Sequence, residues 1–520
     1  MKYKLLGTVA ALATAFSVVN PVSAGSCQIT QLGAITTGAV LDTDGQVWMW
    51  GFRNAGISGT ASPTHAYSNL KPVNRVEFPA GTKITQLVSG AYHFLALTED
   101  GRVYGWGQSG YGEVGCRNAV NDPYVRPPCE VPFPGLKAGD KIARLAAGEY
   151  FSMATTAEGD VYTWGHDLYG QGGRGANVAS NPNGPVRNVN HPSYSNGKVV
   201  PVNNDSMQFV PYKVNLNGEP AVVSGAWYEG AMAITLGATG EAHVWGWGDN
   251  EAAGLGVPYT CGGTPIRGVQ CVVRTPTRAN SALENLAPRI QALHGGNAFA
   301  TAMLAPEPGA SGSKLAGWGQ LAALGLGVTS TGKAGDTTAA TTIPLWMPLK
   351  DPVTGVEHLA TNFFSRYVGN VAIGNDNRLW VWGQGGGSAF PQIYPARPTP
   401  HGTPSTYPAD TGLNSALRSD QAGATLVGIG STKEVVYYQM SDGSAFGLGY
   451  ASVDSLNPIG IPGAGKLDLE YWGPTGWGGT GTMHGTGSLE SIRFGGVRLF
   501  GPNNGGADSP CGSAPLILIL

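Results

Sequence analysis

The chain repeats one short pattern of apolar and polar positions, in which a turn is followed by alternating residues that end in Trp-Gly. The pattern reads DGQVWMWG at residues 44–51, DGRVYGWG at 100–107, EGDVYTWG at 158–165 and DNRLWVWG at 376–383. Alternation of this kind is typical of a β-strand. Because Asp-Gly and Asp-Asn supply the positive φ angles of a two-residue turn, each copy predicts a β-hairpin.

A second apolar segment precedes each turn and predicts the partner strand of the hairpin. Residues 83–101 read KITQLVSGAYHFLALTEDG, and residues 141–159 read KIARLAAGEYFSMATTAEG. The remaining copies follow the same pattern more loosely at 28–45, 220–240, 289–312, 356–377 and 424–443. The chain therefore contains seven copies of one strand–turn–strand unit.

One position near the end of each unit is a tryptophan in six copies and a leucine in the seventh. These residues are Trp50, Trp106, Trp164, Trp247, Trp318, Trp382 and Leu448. A repeat of this length, with a constant core and a variable remainder, predicts a β-propeller, because each unit buries its sheet faces only against its neighbours. We expect each indole to pack between neighbouring blades, where its large area is best buried.

Glycines follow the tryptophan at regular positions, as in WGQSGYGEVG (106–115), WGHDLYGQGG (164–173) and WGDNEAAGLG (247–256). Together with the Leu-x-x-Gly opening and the Asp-Gly turn, this pattern resembles the regulator of chromosome condensation repeat family. The resemblance implies an all-β fold, a seven-bladed β-propeller. Segments rich in Asn, Pro, Gly and Ser at 167–219 and 249–287 predict long loops on one face of the propeller.

The first 24 residues have the order of a secretory signal peptide, with a positive start, an apolar run over 5–19 and a small-residue cleavage site. We therefore expect cleavage near Ala24, a propeller over 25–450, and a C-terminal segment over 451–520 that forms ring-closing strands or a degenerate last blade. No later apolar segment reaches the ~20 residues of a membrane-spanning helix. The chain is predicted to be secreted, periplasmic or on the cell surface.

Six cysteines in an exported chain predict disulfide bonds. Spacing along the chain favours the pairs Cys116–Cys129, Cys261–Cys271 and Cys27–Cys511. The last pair would tie the two ends of the chain together. Lipid attachment at Cys27 is the alternative, because residues 24–27 faintly resemble a lipobox.

Composition narrows the classes of function. The formal net charge is −3 and charged residues make up 12% of the chain, which gives no basic footprint for nucleic acid. The nine histidines are scattered without a metal-binding spacing, and no nucleophile elbow or P-loop is present. We therefore predict no catalytic residues, no metal and no cofactor.

Aromatic residues in glycine-rich loops are suitable binding residues, because they offer a large contact area at a small cost in side-chain entropy. The candidates are Tyr111, Tyr169, Trp227, Tyr228, Trp472 and Trp477. The two tyrosines at 111 and 169 hold the same place in successive copies, and packing against the next blade is the alternative role for them.

The function that we expect is a monomeric, non-enzymatic propeller whose loop-bearing face binds an extracellular protein or polysaccharide. A more specific form of this hypothesis is that the chain inhibits a secreted enzyme. The resembled family includes secreted bacterial members, one of which inhibits a β-lactamase. A carbohydrate-active enzyme with paired carboxylates is a further alternative. The nucleotide-exchange activity for which the family is best known fits an exported chain poorly, and the fold alone does not decide function.

Overall fold

A computed structural model describes part of the chain, and all structural statements below concern that part. The described residues are 29–32, 37–42, 44–51, 74–116, 124–175, 190–192, 199–201, 207–258, 271–324, 339–351, 354–366, 369–383, 399–400, 423–431, 435–441, 445–449 and 497–500. They form four-stranded antiparallel sheets that follow one another along the chain.

The first four sheets lie between residues 29 and 278. Sheet 1 contains β1 (Ile29–Leu32), β2 (Thr37–Asp42), β3 (Val47–Gly51) and β4 (Asn74–Arg75). Sheet 2 contains β5 (Ile84–Ser89), β6 (His93–Thr98), β7 (Val103–Gln108) and β8 (Tyr124–Glu130). Sheet 3 contains β9 (Ile142–Ala147), β10 (Phe151–Thr156), β11 (Val161–His166) and β14 (Met207–Lys213), with a separate pair, β12 (Asn190–Pro192) and β13 (Val199–Pro201), before β14. Sheet 4 contains β15 (Ala221–Trp227), β16 (Gly230–Leu236), β17 (Ala242–Asp249) and β18 (Val272–Arg278).

Three more sheets and a few short helices complete the description. Sheet 5 contains β19 (Ile290–Gly296), β20 (Phe299–Leu304), β21 (Leu315–Gln320) and β22 (Ala340–Trp346). After the pair β23 (Leu349–Lys350) and β24 (Glu357–His358), sheet 6 contains β25 (Ala360–Arg366), β26 (Gly369–Gly374), β27 (Leu379–Gly383) and β28 (Thr399–Pro400). Sheet 7 contains β29 (Leu426–Ser431), β30 (Val435–Met440), β31 (Ala445–Gly449) and β32 (Val497–Phe500). The α-helices are α1 (Ser281–Leu286) and α2 (Leu321–Leu324), and 3-10 turns lie at Glu251–Ala253 and Ala287–Arg289.

The first strands of neighbouring sheets contact one another. Strand β5 contacts β9, β9 contacts β15, β15 contacts β19, and the series continues through β25 and β29 to β1. Sheets that meet through their first strands and fan outward are the arrangement of a β-propeller. The predicted all-β propeller class is therefore confirmed.

The hydrophobic core lies between the sheets. All six residues of β6, of β10 and of β20 are buried, because a neighbouring sheet covers each face. Between sheets 4 and 5, for example, Met232, Leu255 and Trp318 belong to one buried cluster. The near-continuous apolar sequence of these strands follows from burial on both faces.

The repeated tryptophans in sheets 2 to 6 are buried to 1% exposure or less. In sheets 3 to 5, each indole N–H donates a hydrogen bond to a backbone carbonyl in the loop of the preceding sheet. The donor–acceptor pairs are Trp164 to Glu113 (2.9 Å), Trp247 to Gln171 (2.9 Å) and Trp318 to Gly254 (3.1 Å). We call this recurring interaction the tryptophan clasp. Trp50 lies in β3 and Leu448 in β31, at the matching strand positions.

The repeated glycines are explained by close contacts around the clasp. Gly115 has a φ angle of 83°, and a Cβ atom there would lie 2.6 Å from Nε1 of Trp164. Gly107 has a φ angle of 104°, and its Cβ would lie 2.4 Å from the carbonyl oxygen of Tyr92. Glycine adopts these backbone angles without strain and leaves room for the neighbouring sheet.

Two disulfides involve described cysteines. Cys116, in the loop of sheet 2, is bonded to Cys129 in β8, with 5.9 Å between the Cα atoms. Cys271 is also disulfide-bonded, and its partner lies outside the described residues. Outside them as well are Cys27, Cys261 and Cys511.

The ends of the chain are described only in part. The proposed signal peptide over 1–24 lies outside the described residues. In the C-terminal segment, Val497–Phe500 pairs with β31 as the outer strand of sheet 7. Of the helices that the structure describes, none is long and apolar enough to cross a membrane.

Replacing Trp247 by Phe should destabilise the fold by roughly 1–3 kcal/mol, because it leaves the buried Gln171 carbonyl without its donor and opens space beside it. The matched control is Trp346→Phe, since that indole is 53% exposed. The control should change stability by no more than about 0.5 kcal/mol. Urea unfolding of both variants tests the prediction, and equal midpoints would contradict it.

Candidate functional site

Two kinds of connection meet on one face of the propeller. In an antiparallel sheet, the turn after the first strand and the loop after the third strand lie at the same end. The long connections follow the third strands: residues 109–123 in sheet 2, 167–206 in sheet 3 and 250–271 in sheet 4. This loop-bearing face also carries the first turns, whereas the short Asp-Gly turns lie at the opposite end.

Aromatic rings from sheets 2 and 3 gather on this face. The ring of Tyr111 lies 4.5 Å from His166 and 5.5 Å from Tyr150, measured between ring centroids. Tyr150 lies 6.3 Å from Tyr92, and His166 lies 5.7 Å from Tyr169. The four tyrosines are partly exposed, and His166 is buried beneath them. We call these five residues the aromatic platform.

Carboxylates from three sheets surround Tyr111. Burial raises the pKa of its phenol to about 12, and the charges of Glu113, Glu229 and Glu149 contribute to the increase. Glu113 comes from the loop of sheet 2, whereas Glu149 and Glu229 come from the first turns of sheets 3 and 4. The platform is therefore an acidic as well as an aromatic surface.

Glu113 and Gln171 hold the same place in successive loops and order the tyrosine next to them. The backbone N–H of Tyr111 donates to Oε2 of Glu113 at 2.7 Å, and that of Tyr169 donates to Oε1 of Gln171 at 2.9 Å. Their backbone carbonyls also accept the hydrogen bonds of the tryptophan clasps. Both residues are therefore held through the side chain and through the backbone.

The side chain of Gln171 also links sheets 3 and 4. Its amide nitrogen donates to the Glu229 carboxylate and lies 3.1 Å from Nδ1 of His166. The same His166 nitrogen lies 3.3 Å from Oε2 of Glu229. These contacts hold the Glu229 carboxylate and the His166 imidazole in place beneath the tyrosines of the platform.

Glu113 is a buried carboxyl group with one unsatisfied oxygen. The residue is 1% exposed, and Oε1 has no hydrogen-bond partner. Burial raises the pKa of Glu113 to about 8, so the carboxyl is largely protonated at neutral pH. A buried polar atom without a partner is uncommon in folded proteins.

A small cavity lies between sheets 4 and 5. Its lining consists of three carboxylates, three aromatic residues, glycines and one alanine: Glu229, Asp249, Glu251, Trp227, Tyr228, Phe299, Gly230, Gly254, Gly296 and Ala298. We call it the acidic cavity. Glu229 belongs to both the cavity lining and the contact network under the platform, so this buried residue links the two features.

The carboxyl group of Asp249 lines the acidic cavity and has a raised pKa. Burial raises its pKa to about 7, and the charges of Glu251 and Glu229 add to the effect. The backbone N–H of Glu251 donates to Oδ1 of Asp249 at 3.0 Å. Among the described residues, no group of His, Cys, Asp and Glu side chains is placed to hold a metal ion.

The structure brings together several of the residues chosen from sequence. Tyr111 and Tyr169 lie in the platform, where they also pack against neighbouring rings. Tyr228 is partly exposed at the mouth of the acidic cavity, and its carbonyl accepts the N–H of Glu149 at 2.6 Å. Trp472 and Trp477 lie outside the described residues.

Trp227 requires a correction. It is 6% exposed and packs in the core cluster between sheets 4 and 5, because it ends β15 at a position that is glycine in the two preceding sheets. The expectation of an accessible binding residue is therefore wrong. Its ring forms part of the lining of the acidic cavity.

Sequence reasoning did not identify Glu113, His166, Gln171, Glu229 or Asp249. A signal was present for one of them, because Glu229 stands where the first turns of sheets 2 and 3 have tyrosine. The others come together only through the packing of successive sheets, which no local pattern encodes.

Replacing Glu113 by Gln should stabilise the protein at alkaline pH. The folded-state pKa of about 8 exceeds the ordinary value of 4.5, so wild-type stability falls as the pH rises through this interval. At pH 9 the variant should gain up to roughly 4 kcal/mol, and at pH 4 it should gain nothing. Urea unfolding at the two pH values tests this, with the exposed Glu158→Gln as control. A gain that does not depend on pH would contradict the assignment.

Curated relatives match part of the chain. A stretch of 146 residues is 34% identical to the RCC1 domain-containing protein RUG3, mitochondrial, of Arabidopsis thaliana, covering 28% of this chain and 29% of that protein. The ultraviolet-B receptor UVR8 of the same plant is 26% identical over 216 residues, covering 41% of this chain and 39% of the receptor. The chain thus spans well under half the length of these relatives. Being plant proteins, they do not bear out the expected similarity to secreted bacterial members.

Solved structures share the fold at low sequence identity. Human WBSCR16 superposes with a TM-score of 0.53 at 17% identity, covering 80% of this chain and 90% of that one. Prp20p of Saccharomyces cerevisiae gives a TM-score of 0.53 at 17% identity, covering 85% and 84%. At this level of identity the likeness establishes the fold alone.

Family models match the sheets that carry the platform. Models of the regulator of chromosome condensation (RCC1) repeat match residues 84–113, 142–171 and 100–155. The matched region contains the clasp between Trp164 and Glu113 and the loops that carry Tyr111 and Tyr169. Residues 84–171 of the chain therefore carry regulator of chromosome condensation (RCC1) repeats.

Proposed function

We propose that this chain is a protein-binding β-propeller that engages its partner through the loop-bearing face. The observation that carries the proposal is the gathering of Tyr92, Tyr111, Tyr150 and Tyr169 on one surface. Partly exposed tyrosines supply large, rigid contact areas, which is why they are enriched at protein interfaces.

An exposed leucine extends this surface. Leu168 is 47% exposed and precedes Tyr169 in the loop of sheet 3. An exposed apolar side chain next to aromatic rings is suited to burial by a partner. The tryptophan clasp holds this loop in place, so the surface is ordered before the partner binds. This order lowers the entropy cost of binding.

Relatives support a binding role by analogy. Prp20p, which shares this fold, has binding properties toward Gsp1p and histones. A propeller that binds proteins is therefore a known use of the architecture, although fold does not determine the partner. We propose no catalytic step for this chain.

We also propose that all the four-stranded sheets are blades of one closed seven-bladed ring. Contact between β29 and β1 supports closure between the last sheet and the first. A cross-connection supports it too, since the Arg366 guanidinium in sheet 6 donates to the carbonyls of Ser89 at 2.6 Å and Gly90 at 3.1 Å in sheet 2.

Export remains part of the proposal. A chain cleaved near Ala24 would enter an oxidising compartment, where disulfides form and persist. The bond between Cys116 and Cys129 supports this, because a disulfide persists in such a compartment. The proposed partner is accordingly an extracytoplasmic protein, bound by a monomeric propeller.

Site-specific photo-cross-linking tests the binding face. A benzoylphenylalanine in place of Tyr169 should form a covalent adduct with a protein partner when the chain is expressed in its native host. The matched control carries the same group in place of Glu158, an exposed residue in a turn of the opposite face. Adducts at position 169 alone are expected. Adducts at 158 alone, or equal adducts at both positions, would contradict the proposal.

A further inference from the structure

We propose that Leu168, Tyr169 and Arg274 anchor the partner, and that the partner is a protein that presents a carboxylate next to an apolar side chain. We call these three residues the anchor site. The inference rests on the proposed function and specifies which part of the loop-bearing face binds and what chemistry the partner brings to it.

The anchor site lies where the loop of sheet 3 meets the outer strand of sheet 4. The Nη2 atom of Arg274, in β18, donates a hydrogen bond to the backbone carbonyl of Leu168 at 3.2 Å. A Cβ atom on Gly170 would lie 2.7 Å from the Cα atom of Arg274, so glycine allows this close approach of loop and strand. The guanidinium therefore lies against the peptide group that joins Leu168 to Tyr169.

Leu168 is an unusual residue for its place in the repeat. The corresponding residues, four positions after the repeated tryptophan, are Gly110 in sheet 2, Glu251 in sheet 4 and Ala322 in sheet 5. The fold therefore does not require a large apolar residue at this position, and Leu168 is 47% exposed. Together with the partly exposed Tyr169, it forms an apolar surface that is suited to an interaction.

The loop is held by contacts on both sides of this leucine. Oδ2 of Asp167 accepts a hydrogen bond from Nε of Arg174 at 2.9 Å, and the two side chains of this ion pair are 4% and 1% exposed. On the other side of the leucine, the clasp of Trp247 holds Gln171. Leu168 thus projects from an ordered backbone, and little conformational entropy is lost when a partner covers it.

Arg274 supplies the polar part of the anchor site. Its side chain is partly exposed, and within the described part of the chain it donates only to the Leu168 carbonyl and forms no ion pair. The two hydrogens on Nη2 belong to two different pairs of parallel N–H donors in the planar guanidinium group. One bond to Leu168 therefore leaves a complete donor pair, which matches the two oxygens of a carboxylate.

A single carboxylate fits the anchor site better than a polyanion such as nucleic acid. Surfaces that bind polyanions bring together several lysines and arginines. Here the other arginine of the loop, Arg174, is already paired with Asp167, and the formal net charge of the chain is −3. One unpaired guanidinium beside an apolar surface favours a protein segment in which an acidic residue is next to an apolar residue.

Photo-cross-linking in the native host tests the inference, with benzoylphenylalanine in place of Tyr169 and a second substitution in the same chain. Arg274→Gln should lower the yield of the partner adduct by roughly tenfold or more, because it removes the charge and the donor pair. Leu168→Ser should lower it by roughly fivefold. The matched control is Arg102→Gln on the opposite face, where Arg102 pairs with Asp100, and it should leave the yield unchanged.

Mass spectrometry of the adduct identifies the partner segment and tests its chemistry. We expect an Asp or Glu within about four residues of the cross-linked position, which is the reach of a short extended segment. Replacing that acidic residue by Lys should abolish the adduct, and Arg274→Glu should then restore it. A merely structural role of Arg274 would not give this rescue.

An adduct yield that Arg274→Gln leaves unchanged, or a partner segment without an acidic residue, would overturn the inference while the proposed binding face stands. An adduct with a second copy of the chain, or within one chain, would overturn it as well, since the occupant would not be a partner protein. Absence of any adduct at position 169 refutes the binding face and the anchor site together.

Thermal unfolding establishes that each variant is folded. If Arg274→Gln is not, Arg274→Lys replaces it, because lysine keeps the charge but lacks the donor pair. The lysine variant should lower the adduct yield by roughly threefold, and an unchanged yield would contradict the inference in the same way.

Discussion

A recurring hydrogen bond, from a buried tryptophan indole to the loop of the preceding sheet, joins sheets 2 to 5 of this molecule. It recurs at the same place in sheets 3, 4 and 5 with donor–acceptor distances of 2.9–3.1 Å. Because donor and acceptor belong to different sheets, the bond determines how neighbouring sheets are positioned. The indole also supplies much of the apolar area buried between them.

The clasp and the candidate site share residues. Glu113 and Gln171 give their backbone carbonyls to the clasps, and their side chains order Tyr111 and Tyr169 on the loop-bearing face. A buried carboxyl at Glu113 is unfavourable for folding, and the surrounding bonds offset it. Local costs of this kind are tolerated where function requires them, which is consistent with a site on this face.

Sequence alone predicts the structural features that arise from local, repeated residue patterns. Turn dipeptides, alternating strands, the repeated tryptophans and the glycines around them all serve one sheet and its immediate neighbour. The burial of Trp227 could not be predicted from the sequence, because it depends on packing against the next sheet and not on its own loop. The acidic cavity was not predictable for a similar reason, since Glu229 and Asp249 meet residues of sheet 5 only after the sheets have packed.

Hydrogen–deuterium exchange of the Trp247→Phe variant tests most directly whether the clasp couples neighbouring sheets. Trp247 and its acceptor Gln171 are 76 residues apart in sequence. We expect faster exchange in residues 167–175 of sheet 3, with residues 84–108 of sheet 2 unchanged. Faster exchange confined to the strands of sheet 4 would contradict this coupling, because the tryptophan would then stabilise only its own sheet.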